Sequence, residues 1–408
     1  MIFLMNHKRI IFFLFILISS VFLNSCNEGP TLIGYNFLQD TATIQKITSD
    51  DTTLIYDVKS KSYSNSLFNV GRIFVGKSRD IEAVSIIRFA DIPDTLSYLQ
   101  EDDIEGVRLY LYPERYALGD TINGSNNFII KTVNLPWTIQ ANWDSINAAG
   151  FMGEQIARYD QKIVLEDTID IAVVDLDKKF FPNWFKLQPD TNAVVVNYGI
   201  ALIPEDNSNI INSFGAEGLN VQTAGTSPTL RVIYKDKNKN YDVDTLFLYS
   251  GINTTFFKSD NYDSSDIVIQ GGLDVQSDLY FDVSMLPPFS GINKVQLELT
   301  LNTAKTYAGN FEQTRAIIIN YVSDSLNPAS NYIYISEPAD SNSNVYVAYS
   351  ITSAVQLWNR GKGKGILRLS PYNFTDQYQR LDRWVFYGID EPDKTKRPRV
   401  KIYYNVIK

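Results

Sequence analysis

The chain passes twice through the same ordered series of strand-like segments, and that repetition constrains its fold more than any other feature. Ile86-Ile87-Arg88-Phe89-Ala90-Asp91-Ile92-Pro93 is echoed by Asp278-Leu279-Tyr280-Phe281-Asp282-Val283 with Leu286-Pro287. After a short gap each is followed by a matching strand, Ile104-Glu105-Gly106-Val107-Arg108-Leu109-Tyr110-Leu111 and Ile292-Asn293-Lys294-Val295-Gln296-Leu297-Glu298-Leu299. Each half then places a Trp in a polar-flanked turn, Asn183-Trp184-Phe185-Lys186 and Leu357-Trp358-Asn359-Arg360, before a glycine-led strand starting at Gly199 or Gly365. Both close on Pro and one alternating strand, Pro228-Thr229-Leu230-Arg231-Val232-Ile233-Tyr234 and Pro398-Arg399-Val400-Lys401-Ile402-Tyr403-Tyr404. Five correspondences in one order imply two homologous domains. Their boundaries are read at 41–236 and 245–408, with a polar linker over 237–244.

Within each half the period is two. Segments 84–89, 107–112, 193–203 and 230–234, and then 279–283, 295–301, 316–321, 345–349, 365–369 and 400–404, alternate or run apolar over strand lengths. Aromatics make up 13% of the chain, a content that favours strands over helices. Helical periodicity is scarce; 175–186 can hold a short helix, limited by Pro182. The expected class is all-β, two tandem β-sandwich domains.

The amino terminus has a different character. Lys8 and Arg9 precede an unbroken apolar run over 10–18, and small residues follow at Ser19 and Ser20. The run is short for a spanning helix, which needs about 20 residues, and has the build of an export signal. It ends in Leu23-Asn24-Ser25-Cys26, which resembles the lipobox of bacterial lipoproteins, although Asn24 stands where a small residue is more usual. The resemblance implies cleavage after residue 25, lipidation of Cys26, and a tether over 26–40. An ordinary cleaved signal or an uncleaved anchor is the plainer alternative. Asn27 is not the Asp that resembles an inner-membrane retention signal, so the expected location is the outer membrane, on its periplasmic face or at the cell surface.

Composition removes many chemistries. The single histidine, His7, lies inside the export signal, and Cys26 is the only cysteine. The mature chain therefore has no Ser-His-Asp or Cys-His catalysis, no zinc site built on His or Cys, and no internal disulfide. Gly361-Lys362-Gly363-Lys364-Gly365 superficially resembles a phosphate loop, but no helical pattern follows it, so it reads as a turn. The formal charge is −9, and losing Lys8 and Arg9 with the signal takes it to −11. Such a surface argues against nucleic acid and against adhesion to anionic headgroups.

The repeated segments resemble the DNRLRE-type domain of secreted bacterial and archaeal proteins. The first half carries the resemblance at Arg88-Phe89-Ala90-Asp91, 107–112, Trp137 to Trp143, 197–202 and 228–234. The second lacks a counterpart of the Trp137–Trp143 segment and reads Tyr280-Phe281-Asp282 at the first motif. The resemblance implies jelly-roll-like sandwiches related in shape to carbohydrate-binding modules, and leaves the ligand open.

Candidate sites follow from residue chemistry. Trp137 and Trp143 are the candidate ligand-binding platforms, since an aromatic plane packs on the C–H face of a pyranose. Trp184 and Trp358 hold equivalent repeat positions and read as core, as Trp384 does in a sandwich this aromatic. Asp236, Asn238, Asn240, Asp242 and Asp244 space oxygen ligands at every second residue, as calcium loops do, but the glycine and closing glutamate of an EF-hand are missing. No metal or cofactor is assigned, and structural calcium elsewhere in the loops stays compatible with the sandwich. The functional expectation is a membrane-anchored, non-catalytic binding or structural protein for polysaccharide or envelope components. The alternatives are an assembly or adhesion subunit that binds a partner protein, and a polysaccharide-cleaving enzyme using carboxylates alone.

Overall fold

The computed structural model describes residues 44–406 apart from 65, 69, 91, 139, 164–170, 185–196, 217–226, 260–264, 311–315, 323–332, 341, 350 and 373–378. The expected export signal, Cys26 and the expected tether lie outside the described residues. The fold is all-β, and the described residues form two large antiparallel sheet systems of 12 and 11 strands. Each system bends into two layers around its own core.

Alternation decides which face of a strand is buried. Val275–Asp282 and Arg399–Asn405 switch strictly between buried and half-buried positions along their length. Val275, Leu279 and Phe281, and then Val400 and Ile402, are sealed from water. Strands such as Ile210–Ala216 and Ile267–Gln270 are buried at every position because both of their faces are covered.

The two sandwiches repeat one pairing scheme. In the N-terminal one, Ile81–Phe89 pairs with Ile200–Pro204, which pairs with Phe128–Val133. In the C-terminal one, Val275–Asp282 pairs with Lys364–Pro371, which pairs with Ile317–Val322. The opposing layers place Thr229–Asp236 beside Ile104–Leu111, and Arg399–Asn405 beside Gly291–Thr300. The repeat reaches side-chain packing. Phe89 lies against Trp184 with ring centroids 6.1 Å apart, and Phe281 lies against Trp358 at 5.2 Å. Trp184, Trp358 and Trp384 are all core residues. Trp184 ends a 3-10 helix, Lys178–Trp184, that contains Pro182. Trp358 sits in the helix Thr352–Arg360 rather than in the turn expected from its polar flanks; the turn comes next, at Gly361 and Gly363.

The strands that complete the two sandwiches are donated reciprocally. Asp242–Ser259, at the start of the second repeat, pairs first with Thr229–Asp236 and then, past a bulge near Gly251, with Ile81–Phe89. It thus belongs to both layers of the N-terminal sandwich. The equivalent places in the C-terminal sandwich are filled from the start of the chain. Ile44–Thr48 pairs with Arg399–Asn405, and Ile55–Ser62 pairs with Val275–Asp282. Leu54, Ile55 and Val58 accordingly join the C-terminal core, and Leu248 joins the N-terminal one. The divisions 41–236 and 245–408 follow the repeat along the sequence, whereas strand pairing follows this crossed partition. Residues 237–241 form a tight hairpin turn, with left-handed backbone at Asn240 and Tyr241, and the strands pair through to Asp236 opposite Asp242.

The sandwiches meet over a third apolar cluster that includes Phe74, Tyr116, Ile211 and Phe257 from one side and Val268, Leu273, Leu381 and Val385 from the other. Polar groups inside it are paired across the boundary. The Tyr116 hydroxyl accepts from the Leu381 N–H at 2.9 Å and donates to Asp382 at 3.1 Å. Ala117 and Asn310 exchange two hydrogen bonds of 2.8 and 3.0 Å. Asp80 accepts from Tyr307 at 3.1 Å and from Arg383 at 2.8 Å. Burial, reinforced by Asp382, pushes the Tyr116 phenol well above its ordinary pKa.

Candidate functional site

The crossing of a chain between two layers is built differently in the two sandwiches, and the difference makes a cleft. In the N-terminal sandwich one continuous strand crosses at Gly251, where a Cβ would come within 2.7 Å of the Ala90 side chain. In the C-terminal sandwich the crossing is a separate turn, 49–54, between Ile44–Thr48 and Ile55–Ser62. Opposite it runs the loop that enters the last strand. Between turn and loop lies a cleft of about 430 Å³.

Main-chain and side-chain bonds fix its floor. Ser49 donates its N–H to the Val400 carbonyl at 2.9 Å, and its hydroxyl accepts from the Val400 N–H at 2.9 Å. Asp50 accepts from Arg399 at 2.9 Å across 349 positions of sequence. Asp51 accepts from the Thr48 hydroxyl at 2.7 Å, which holds the turn. Leu54 anchors the turn below, fully buried in the C-terminal core, and Ile389 packs on the same core from the loop side.

Above this floor the lining keeps unused hydrogen-bonding capacity. Asp390 and Lys394 are exposed and make no hydrogen bond or ion pair among the described residues. Arg397 spends its Nε on the Glu391 carbonyl, which leaves its terminal nitrogens facing no partner among the described residues. Asp50, Asp51 and Asp390 balance Lys394, Arg397 and Arg399, so the lining carries no net charge. Tyr56 also lines the cleft, 45% exposed, with the Lys364 ammonium 5.5 Å from its ring centroid. Such a lining can hold a polar ligand through both donors and acceptors.

The residues singled out from sequence are placed elsewhere. Trp137 and Trp143 are both half-buried and pack, with Ala141 and Met152, over Val84, Ile86, Val133 and Phe256 on the outer face of the N-terminal sandwich. Trp137 also donates its indole N–H to the Tyr198 carbonyl at 2.7 Å. They belong to a cap over apolar sheet surface, more than 80 residues along the chain from either wall of the cleft. The oxygen-rich run 236–244 commits Asp236 and Asp244 internally. Asp236 accepts from the Tyr98 hydroxyl and the Asn238 N–H, and the Lys239 ammonium holds the Asp244 carboxyl below the usual carboxylate range. Among the described residues no group of three or more His, Cys, Asp and Glu side chains converges as metal ligands, and no helix is long and apolar enough to cross a membrane.

The cleft residues carried no signal of their own in the sequence. Asp50-Asp51-Thr52-Thr53 and Asp390-Glu391-Pro392-Asp393-Lys394 each read as an ordinary polar turn. Only the pairing of the first strand with the last unites them. No family model matches the chain, and no match is found among curated proteins.

Proposed function

We propose that this chain is an extracytoplasmic lipoprotein, anchored by acylated Cys26 to the outer membrane, that binds a polysaccharide or cell-envelope component without cleaving it. The observation that carries the binding half is the cleft, whose lining offers Asp390, Lys394 and the free end of Arg397 on a rigid floor. Support for the anchor is the sequence Leu23-Asn24-Ser25-Cys26 behind an apolar run. Two or three acyl chains give stable attachment, at about 0.8 kcal/mol per buried CH₂. A mature chain without histidine is poorly equipped for general acid–base work near neutrality, which favours binding over cleavage.

A second reading rests on a different surface. The opposite layer of the N-terminal sandwich, built on Ile104–Leu111 and Thr229–Asp236, exposes Val173, Val243 and Phe247 at 40%, 58% and 50%, with Phe247 beside Arg231 and Arg231 beside Arg108 in register. An open face of apolar and arginine side chains suits a partner protein, which is the assembly or adhesion alternative.

The test separates the parts. Metabolic labelling with a palmitate analogue is expected to mark the wild type and not Cys26→Ser, and Cys26→Ser is expected to leave the membrane fraction; an unlabelled wild type would refute the anchor. The protein from residue 27 onward, incubated with mannan, xylan, dextran, pectin and peptidoglycan fragments, is expected to retain at least one without releasing shorter products. Product release would refute the non-catalytic reading. Retention of none would refute glycan binding in favour of a protein partner.

A further inference from the structure

The cleft has one property that an ordinary surface groove lacks: its two walls come from opposite ends of the chain. One is the turn between the two donated N-terminal strands, and the other is the loop before the C-terminal strand. We infer that the cleft binds a neutral, hydroxyl-rich sugar unit of a glycan, and that occupancy clamps the N-terminal segment 44–62 onto the C-terminal sandwich. This inference rests on the binding function proposed above and assigns it a site, a ligand class and a mechanical consequence.

The ligand class follows from the lining. Three carboxylates facing three cations leave no net field to select a polyanion or a polycation. A sugar hydroxyl donates one hydrogen bond and accepts others, so it can bridge a carboxylate and a cation at once, and such charge-assisted bonds are the stronger kind. Asp390 supplies uncommitted acceptors, and Lys394 and Arg397 supply uncommitted donors. The exposed part of the Tyr56 ring, in the lining, offers surface to the C–H face of a pyranose. At about 430 Å³ the cleft lies within the range of small-molecule sites, roughly 300–1,000 Å³, and takes a short stretch of glycan rather than a protein segment.

The clamp follows from linkage. A ligand that touches both walls binds only while segment 44–62 is in place, so it opposes release of that segment. Without ligand the segment is held near the cleft by the Asp50–Arg399 pair, by the Ser49–Val400 bonds and by burial of Leu54. A bound sugar bridging Asp51 or Tyr56 to Asp390 or Arg397 adds contacts that do not exist when the segment is free.

The experiment uses the protein from residue 27 onward and the oligosaccharide retained best among the neutral glycans mannan, xylan and dextran; tighter retention of the polyanion pectin would overturn the neutral ligand class. Affinity is measured by calorimetry for the wild type, Asp390→Ala, Lys394→Ala, Arg397→Ala and Trp143→Ala. Asp390 and Lys394 are exposed, so their variants are expected to melt like the wild type and to bind at least tenfold more weakly. Trp143→Ala is expected to keep the wild-type Kd. Hydrogen exchange with ligand at 100 times Kd is expected to slow opening of the strand Ile44–Thr48 by about 100-fold. Binding with wild-type Kd in all three cleft variants would overturn the site while leaving the binding function standing. Weaker binding in the variants without protection of residues 44–62 would overturn the clamp. Failure of every oligosaccharide to bind the wild type would overturn both the inference and the glycan function.

Discussion

The reciprocal donation of strands predicts that damage near the start of the chain is felt in its C-terminal half. Ile55 is 6% exposed, stands opposite Phe281 in register, and joins the C-terminal core. Leu248, at 1% exposure, stands opposite Leu230 and joins the N-terminal core. Truncating a buried Ile or Leu to Ala costs about 2–5 kcal/mol, according to how far the site relaxes. Ile55 lies next to the cleft, where neighbours can settle, so Ile55→Ala is expected near the lower end, about 2–3 kcal/mol. Leu248 is sealed between two layers, so Leu248→Ala is expected near 3–4 kcal/mol. At about 1.4 kcal/mol per decade these correspond to about one and a half to two decades in the opening equilibrium for Ile55→Ala and about two to three for Leu248→Ala. Native-state hydrogen exchange read by mass spectrometry resolves the halves. Ile55→Ala should accelerate exchange in Val275–Asp282 and Arg399–Asn405 far more than in Ile81–Phe89 and Thr229–Asp236. Leu248→Ala should do the reverse. The reasoning is refuted if Ile55→Ala loosens Ile81–Phe89 more than Val275–Asp282.

Three further outcomes follow. Gly365→Ala places a Cβ 1.8 Å from the Trp358 indole, so Trp358 must leave its place against Phe281; indole emission should shift to the red and Tm should fall sharply, and an unchanged emission maximum would contradict that packing. Tyr116→Phe removes one bond to the Leu381 N–H and one to Asp382 inside the boundary between sandwiches, at a cost of about 1–3 kcal/mol, visible by calorimetry as a lower or split transition; an unaltered thermogram would mean that the hydroxyl contributes nothing there. Burial, with Asp160 adding to it, pushes the Tyr159 phenol up to about 12, so from about pH 10 the unfolded chain ionises there while the folded one does not. Stability at this site is intact below pH 10 and lost as pH climbs toward 12; urea midpoints should decline less steeply in Tyr159→Phe, and parallel declines would count against a raised pKa.

The sandwich class, the doubling and the core tryptophans were legible because each is written locally. Period-two alternation marks strands wherever they pair, and Trp184 and Trp358 recur at matching positions beside Phe89 and Phe281. Which strand pairs with which is a different kind of information. The two copies begin with segments of the same character, so either could complete either sandwich, and nothing in residues 44–62 or 242–259 alone names the recipient. The hairpin at 237–241 looked like a linker for the same reason: its polar residues suit both uses. Trp137 and Trp143 were read as platforms because aromatic residues in a loop-rich stretch suggest exposure. Their cover over Val84, Ile86 and Phe256 depends on a sheet face whose second side the alternation left apparently free.

The tight turn at 237–241 also bears on what a protease could achieve. A cut there would divide the repeats along the sequence without releasing either one, since each fragment would hold a strand belonging to the other's sandwich. The pieces would stay together as a complementing pair. Neither fragment made alone would have a closed sandwich, and each would present bare sheet edges open to association. A chain built this way keeps its two halves together even after the covalent link between them is gone.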